Sequence, residues 1–243
     1  MPSKPVQYPV PWDLVRGLTP HLVSRTPRNI VDFTARIVAR MQPAPLIEGL
    51  DHLPGNPHFI LAANHYQRPG LWILHTAAVI TQALVRRYGP ADPPVRWIVT
   101  ANWPPLRIGP WRIASPGDWL LPRVAEALQC YAVSFAGQNP VFTARSIRRI
   151  LKDARTSEPA IGIFPEGVAG SAGRLSQALP GVDRFLGHLA KAGLPIVPCG
   201  VSEAGRLVIR FGETIPAAEV SAATDPAALA MERIGQLIGG CDG

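Results

Sequence analysis

The sequence predicts an α/β domain, a mostly parallel or mixed sheet flanked by helices, preceded by a short N-terminal helical arm. Three observations carry this. After residue 45, apolar runs of strand length alternate with amphipathic segments of helix length. Before it, apolar residues recur with helical period. And 47% of the 243 residues are apolar against 17% charged, enough for a full core and too apolar for a disordered chain.

The arm takes residues 1–45. Leu14 and Leu18, then Ile30, Phe33, Ile37, Val38 and Met41, keep helical spacing. Pro20 and Pro27 divide them, so two short amphipathic helices are expected, ended by Pro43 and Pro45. Residues 46–243 form the α/β domain. Strands are expected at 46–48, 59–63, 95–100, 131–135, 161–164, 196–201 and 207–211, and helices at 70–88, 119–129, 141–155, 176–192 and 226–238. No internal repeat or low-complexity segment interrupts this order, although 27 prolines punctuate it.

Composition narrows the function classes. The three cysteines, Cys130, Cys199 and Cys241, are odd in number and widely spaced, so they make neither a disulfide framework nor a CxxC metal site and suit a reducing compartment. Met1 to Pro11 has no apolar run and does not read as a signal peptide. The longest apolar stretch, 71–85, is interrupted by His75 and Gln82 and is shorter than the ~20 residues a bilayer span needs. A soluble chain is expected, one that can lie on a membrane. The net charge of +7 comes almost wholly from 21 arginines. Their densest groups, Arg86-Arg87 and Arg145/Arg148/Arg149, have helical spacing and read as solvated faces or as contacts to phosphate or anionic membrane. No nucleic-acid module accompanies them, and nucleic acid is not an expected partner.

Residues 97–119 stand apart. They hold Trp97, Trp103, Trp111 and Trp119 among Pro104, Pro105, Arg107, Pro110 and Arg112. Indoles beside arginines suit a bilayer headgroup zone or an acyl chain; equally, a proline-stiffened loop could use its tryptophans to cap the core.

Several chemical motifs are excluded. There is no GxGxxG and no HExxH; Gly162 and Gly167 have a phosphate-loop interval without the following Lys-Ser/Thr; and Gly200-Val201-Ser202-Glu203-Ala204 misses a nucleophile elbow at its last position. Two segments at strand ends remain, where open α/β sheets bind ligands. Ala63-Asn64-His65-Tyr66-Gln67 puts an imidazole at such an edge, fit to take a proton near neutral pH; a structural histidine is the competing reading. Phe164-Pro165-Glu166-Gly167 projects a carboxylate at the same edge. That glutamate either serves a ligand or accepts backbone N–H bonds in a turn. Residues 193–198 read as a buried strand without chemistry.

Taken in order, these segments resemble the glycerolipid acyltransferase family, the lysophospholipid and 1-acylglycerol-phosphate acyltransferases. The resemblance starts at Glu48-Gly49-Leu50-Asp51-His52-Leu53-Pro54 and runs through Asn64-His65, Phe164-Pro165-Glu166-Gly167, Gly173-Arg174-Leu175 and Gly181. It continues to Leu194-Pro195-Ile196-Val197-Pro198 and Phe211-Gly212-Glu213-Thr214-Ile215-Pro216, covering residues 46–216. It implies a glycerol-3-phosphate acyltransferase-like fold and a role in lipid metabolism such as phospholipid biosynthesis. The implied reaction moves an acyl group from an acyl-CoA or acyl-ACP thioester to a hydroxyl of a lipid-like acceptor. It further implies no cofactor or metal, with an acyl carrier protein and the membrane surface as partners, on the cytoplasmic side of the membrane. His65 would be the general base and Glu166 a second catalytic group, with Asn64, Gly167 and Arg174 binding substrate.

The chain departs from the family pattern in three places. Five positions after His65, where the family has an orienting aspartate, stands Gly70. Val168-Ala169-Gly170 replaces Thr-Arg-Ser, and 134–138 lacks the second motif's arginine, Arg145 being the nearest. Loss of both arginines implies an acceptor without phosphate. Loss of the aspartate leaves either Glu166 as its surrogate or a catalytically silent relative that binds a lipid or acyl carrier.

Overall fold

The computed structural model describes residues 6–101, 106–108, 111–113, 116–134, 140–156, 159–168 and 175–239. Three helices come first: α1 (Trp12–Arg16), α2 (Thr19–Ser24) and α3 (Ile30–Val38). The sequence suggested two. Pro20 does not separate helices; it sits in the first turn of α2, where its missing N–H has no intrahelical partner to lose. Asn29 caps α3 by accepting the Asp32 N–H.

The remaining elements are β1 (Leu46–Glu48), β2 (Ile60–Ala63), α4 (Ile73–Tyr88), β3 (Val95–Thr100), β4 (Leu106–Ile108), β5 (Trp111–Ile113), α5 (Pro116–Ala127), β6 (Tyr131–Val133), α6 (Pro140–Thr156), β7 (Ala160–Ile163), α7 (Val182–Lys191), β8 (Ile196–Glu203), β9 (Leu207–Phe211), α8 (Ala217–Ala222) and α9 (Pro226–Gly239). Seven strands form one sheet in the order β1-β9-β8-β2-β7-β3-β6. Every neighbouring pair is parallel except β8 with β9. The mixed α/β class expected from the sequence is the observed one.

Alternation along β2 shows why its sequence is apolar throughout. Phe59, Leu61 and Ala63 join a core with α4, including Val79, Ile80 and Ala83. Ile60 and Ala62 join the opposite core with Ile150 of α6, Leu186 of α7 and Ile234 of α9. A strand buried on both faces has no place for polar alternation. A third, smaller core of Leu14, Leu18, Phe33, Ile37 and Ala78 fastens the N-terminal helices onto α4.

Helix α5 begins at Pro116, three residues before the expected start, and two later starts than expected have local reasons. Gly70 has φ +80°, which no right-handed helix accepts, so α4 begins at Ile73. Residues 175–180 hydrogen-bond across the fold: Ser176 N–H goes to Glu166 and Leu179 N–H to the Pro165 carbonyl, so α7 begins only at Val182. The short α8 and the antiparallel β4–β5 hairpin lay outside the sequence expectation.

Candidate active site

β2 and β7 lie side by side at the centre of the sheet, with Ala62 opposite Ile163. The chain leaves both strands at the same edge and turns at once. His65 follows β2 and Glu166 follows β7, so parallel pairing alone brings together residues 101 positions apart.

Their contact runs through the main chain. Glu166 is 2% exposed; its Oε2 accepts the His65 backbone N–H at 2.8 Å and its Oε1 accepts the Ser176 N–H at 2.7 Å. Burial raises its pKa above 4.5, and the two N–H donors partly offset that. The carboxylate therefore does not take the missing aspartate's place as the imidazole's hydrogen-bond partner: both oxygens tie backbone. This is the turn-carboxylate reading the sequence left open.

The His65 side chain is only partly exposed, and Nδ1 is buried with no hydrogen-bond partner among the described residues. Burial pulls its pKa below 6.5, and its own backbone pulls the other way without overcoming it. The ring meets the edge of Phe164 at a centroid distance of 5.3 Å, and Phe164 stacks on Trp97 at 4.7 Å and 7°. Gly162 makes this stack possible: a Cβ there would lie 2.5 Å from Trp97 Cε3. Beyond Phe164 opens a cavity of about 210 Å³, lined among others by Phe33, Leu74, Ala78, Trp97, Leu128 and Phe164. An apolar cavity of ~150 Å³ already holds a benzene-sized hydrocarbon. Phe164 thus lies against the imidazole on one side and lines an apolar pocket on the other.

Asn64 spends both ends of its amide on Val201, donating Nδ2 to its carbonyl (3.0 Å) and accepting its N–H (2.6 Å). It prolongs the β2–β8 ladder by a side chain. Three residues past His65, Arg68 forms a fork on the Glu203 carboxylate, with Nε at 2.5 Å from Oε2, and Tyr66 Oη donates to the same Oε2 at 2.8 Å. Arg68 also donates to the Val6 carbonyl. Tyr66 is pushed up to about 12 by burial and by Glu203.

The N-terminal segment closes over this loop. Tyr8 N–H donates to the Gly70 carbonyl at 2.8 Å, and the buried Tyr8 hydroxyl bonds the Pro43 carbonyl and the Leu207 N–H. A Cβ on Gly70 would sit 1.7 Å from Gln7 Oε1. Gln7 is exposed and its amide can swing aside, so the constraint at position 70 is the backbone: a φ of +80° favours glycine over aspartate. His75, fully buried, accepts the Trp72 N–H at Nδ1 (3.1 Å), and its Nε2 bonds the Pro9 carbonyl (3.3 Å).

Of the residues singled out from sequence, His65, Glu166, Asn64 and Gly167 meet at one sheet edge. Gly167 has φ +64° and gives its N–H to the Phe164 carbonyl in the turn. Arg174 and Trp103 lie outside the described residues. Trp97 is core, whereas Trp119 is 58% exposed beneath Arg123. Arg86, Arg87, Arg145, Arg148 and Arg149 are exposed on α4 and α6. Sequence reasoning missed Arg68, Glu203 and the Gln7–Tyr8 segment, whose roles rest on distant partners. Gly162 inside an apolar strand was an available signal of close approach. Among the described residues no group of three or more His, Cys, Asp or Glu gathers to hold a metal, and no helix is long and apolar enough to cross a membrane.

No protein-family model matches the chain, and no curated protein matches it in sequence. Among solved structures it is similar to the 1-acyl-sn-glycerophosphate (LPA) acyltransferase PlsC from Thermotoga maritima. The TM-score is 0.58 at 16% identity, over 87% of this chain and 77% of that one. The likeness at that identity is one of fold: this chain shares the α/β fold of a solved glycerophosphate acyltransferase.

Proposed function

We propose that the protein transfers a fatty acyl group from an acyl-CoA or acyl carrier protein thioester to a hydroxyl of a lipid-like acceptor lacking phosphate. One observation carries this reading: a half-buried imidazole at the sheet edge shared by β2 and β7 lies against Phe164, which also lines an apolar pocket. The fold shared with a glycerophosphate acyltransferase supports it.

In this reaction the acyl chain enters the pocket and its carbonyl carbon stays beside His65. His65 Nε2 takes the proton from the acceptor hydroxyl as its oxygen attacks that carbon. A C–O bond forms, the C–S bond breaks, and the imidazolium returns the proton to the departing thiolate. The lowered pKa of His65 keeps it neutral, and so able to act as a base, at pH 7. Glu166 acts by fixing the His65 backbone, Gly167 by the turn that presents Phe164, and Asn64 by fastening the strand end. Arg174 is the proposed contact for a substrate headgroup.

Peripheral attachment to the cytoplasmic face of a membrane goes with such an acceptor. Trp12, Val23 and Trp119, exposed on the N-terminal helices and α5, support it.

The second reading, a silent relative that binds a lipid or acyl carrier, is favoured because no carboxylate among the described residues hydrogen-bonds the His65 ring: Glu166 holds main chain instead. Incubating the purified protein with labelled acyl thioesters and a lipid extract decides between them. Ester formation that His65→Ala abolishes supports acyl transfer. Binding without turnover supports the silent relative, and free acid alone indicates hydrolysis.

A further inference from the structure

Five cations line the outer face of α6. Its apolar residues turn inward: Ile150 and Ala154 are buried, and Ile147 and Leu151 pack against the same core. Arg145, Arg148, Arg149, Lys152 and Arg155 are exposed on the opposite side. With 3.6 residues per turn they share an arc of about 120°, in a row about 15 Å long.

The single carboxylate of α6 is Asp153, and it is already shared by Arg149 at 3.8 Å, Arg96 at 3.5 Å and the Tyr131 hydroxyl at 3.0 Å. Among the described residues Arg145, Arg148, Lys152 and Arg155 have no ion-pair partner, whereas Arg36, Arg40, Arg68, Arg210 and Arg233 elsewhere each have one. Like charges three and four positions apart repel on a helix, so the row weakens α6 taken alone. Only Arg155, in the last turn, gains from the helix dipole. A face that served solubility alone would mix its signs.

The placement of the row selects its partner. α6 joins the parallel strands β6 and β7, so it runs from the edge bearing His65 back to the far edge. A bilayer covering the His65 edge would meet only its start. Nor does the row offer anything to insert: among the described residues of α6 the large apolar side chain that stands exposed is Val141, at the beginning. A nucleic acid would find no exposed aromatic ring along the row on which to stack a base.

We propose that α6 is the docking surface for an acidic partner protein, one that presents carboxylates along a helix. Resting on the acyl-transfer reading above, that partner carries the acyl group as a thioester on a flexible arm. β6 lies three strands from β2, so the arm spans about 14 Å across the sheet to reach His65.

The test uses a bacterial acyl carrier protein loaded with a medium-chain acyl group, beside the matching acyl-CoA. The labelled carrier should bind the full chain, and more weakly as salt is added. Arg148→Glu with Lys152→Glu should cut that affinity about tenfold or more, while Arg16→Glu with Arg25→Glu, also exposed, should leave it unchanged. Tm and transfer from acyl-CoA should stay at the wild-type level in both variants. If the reversed α6 does not fold, its backbone amide resonances in the wild type serve, since they should shift when the carrier is added. The proposal is overturned if the carrier does not bind, if its binding ignores the reversal, or if α6 captures anionic vesicles or nucleic acid in its place. Carrier binding that depends on α6 without transfer from either donor would remove the acyl-transfer reading and leave the docking surface standing.

Discussion

His65 and His75 lie ten positions apart, one just after β2 and the other in the first turn of α4, and burial holds both imidazoles below the ordinary pKa of 6.5. They differ in what their ring nitrogens meet. Both nitrogens of His75 are used, one by the Trp72 N–H and one by the Pro9 carbonyl, so the ring pins the start of α4 to the N-terminal segment. His65 is held by its backbone, through Glu166, while Nδ1 has no hydrogen-bond partner among the described residues. A saturated histidine is a structural bracket. One held through its backbone, with its ring partly exposed at the sheet edge, is the candidate for chemistry.

Exchanging each ring for a methyl group would break this comparison most directly. His65→Ala should lower acyl transfer by about 10²–10⁴-fold with little change in Tm, as for loss of a general base. Activity within a factor of a few of wild type would end its role. His75→Ala should instead cost about 2–4 kcal/mol in denaturant unfolding, from a buried cavity and two stranded backbone groups. An unchanged midpoint would mean that its hydrogen bonds hold nothing.

Gly162→Ala sharpens the contrast. The added methyl displaces Trp97, at a cost of about 1–3 kcal/mol for overpacking. The disturbance should pass through Phe164 to the His65 ring resonances and leave those of His75 in place. Equal shifts at both rings would show that the aromatic stack does not single out the site.

Acidity acts on both rings in one direction. Because the folded-state pKa values are depressed, the unfolded chain binds protons first as pH falls below about 6.5. Stability should therefore be full above that pH and decline below it, and His75→Gln should flatten the slope. The acidic limb of kcat/KM should likewise lie below pH 6.5. A limb above it would contradict burial of His65.

Neither histidine governs the smallest effect expected. Trp119→Ser, and separately Trp103→Ser with Trp111→Ser, should each weaken flotation with anionic vesicles by a few-fold. Flotation that neither change alters would leave these tryptophans without a membrane role.

The positions of His65 and Glu166 could be read from the chain because each directly follows an apolar strand, and parallel strands deliver their ends to one edge. The role of Glu166 could not. Its oxygens could have reached the imidazole or the main chain, and only packing chose the main chain. Gly70 looked like a lost aspartate, yet it is also the residue that lets Gln7 and Tyr8 settle on the loop. The tryptophan cluster divides in the same way: Trp97 went inward because Gly162 faces it, and Trp119 remained outside.

What the sequence determined by itself was the α/β order, the two apolar faces of the central strands and the sheet edge that bears the polar residues. Those follow from periodicity, a property of neighbours along the chain. Tertiary structure alone decided which nitrogens are spent and which are spare. Those pairings join Asn64 to Val201, His65 to Glu166 and His75 to Pro9, across 137, 101 and 66 positions. No local pattern encodes a partner that far away, because the contact exists only once both cores have closed around it.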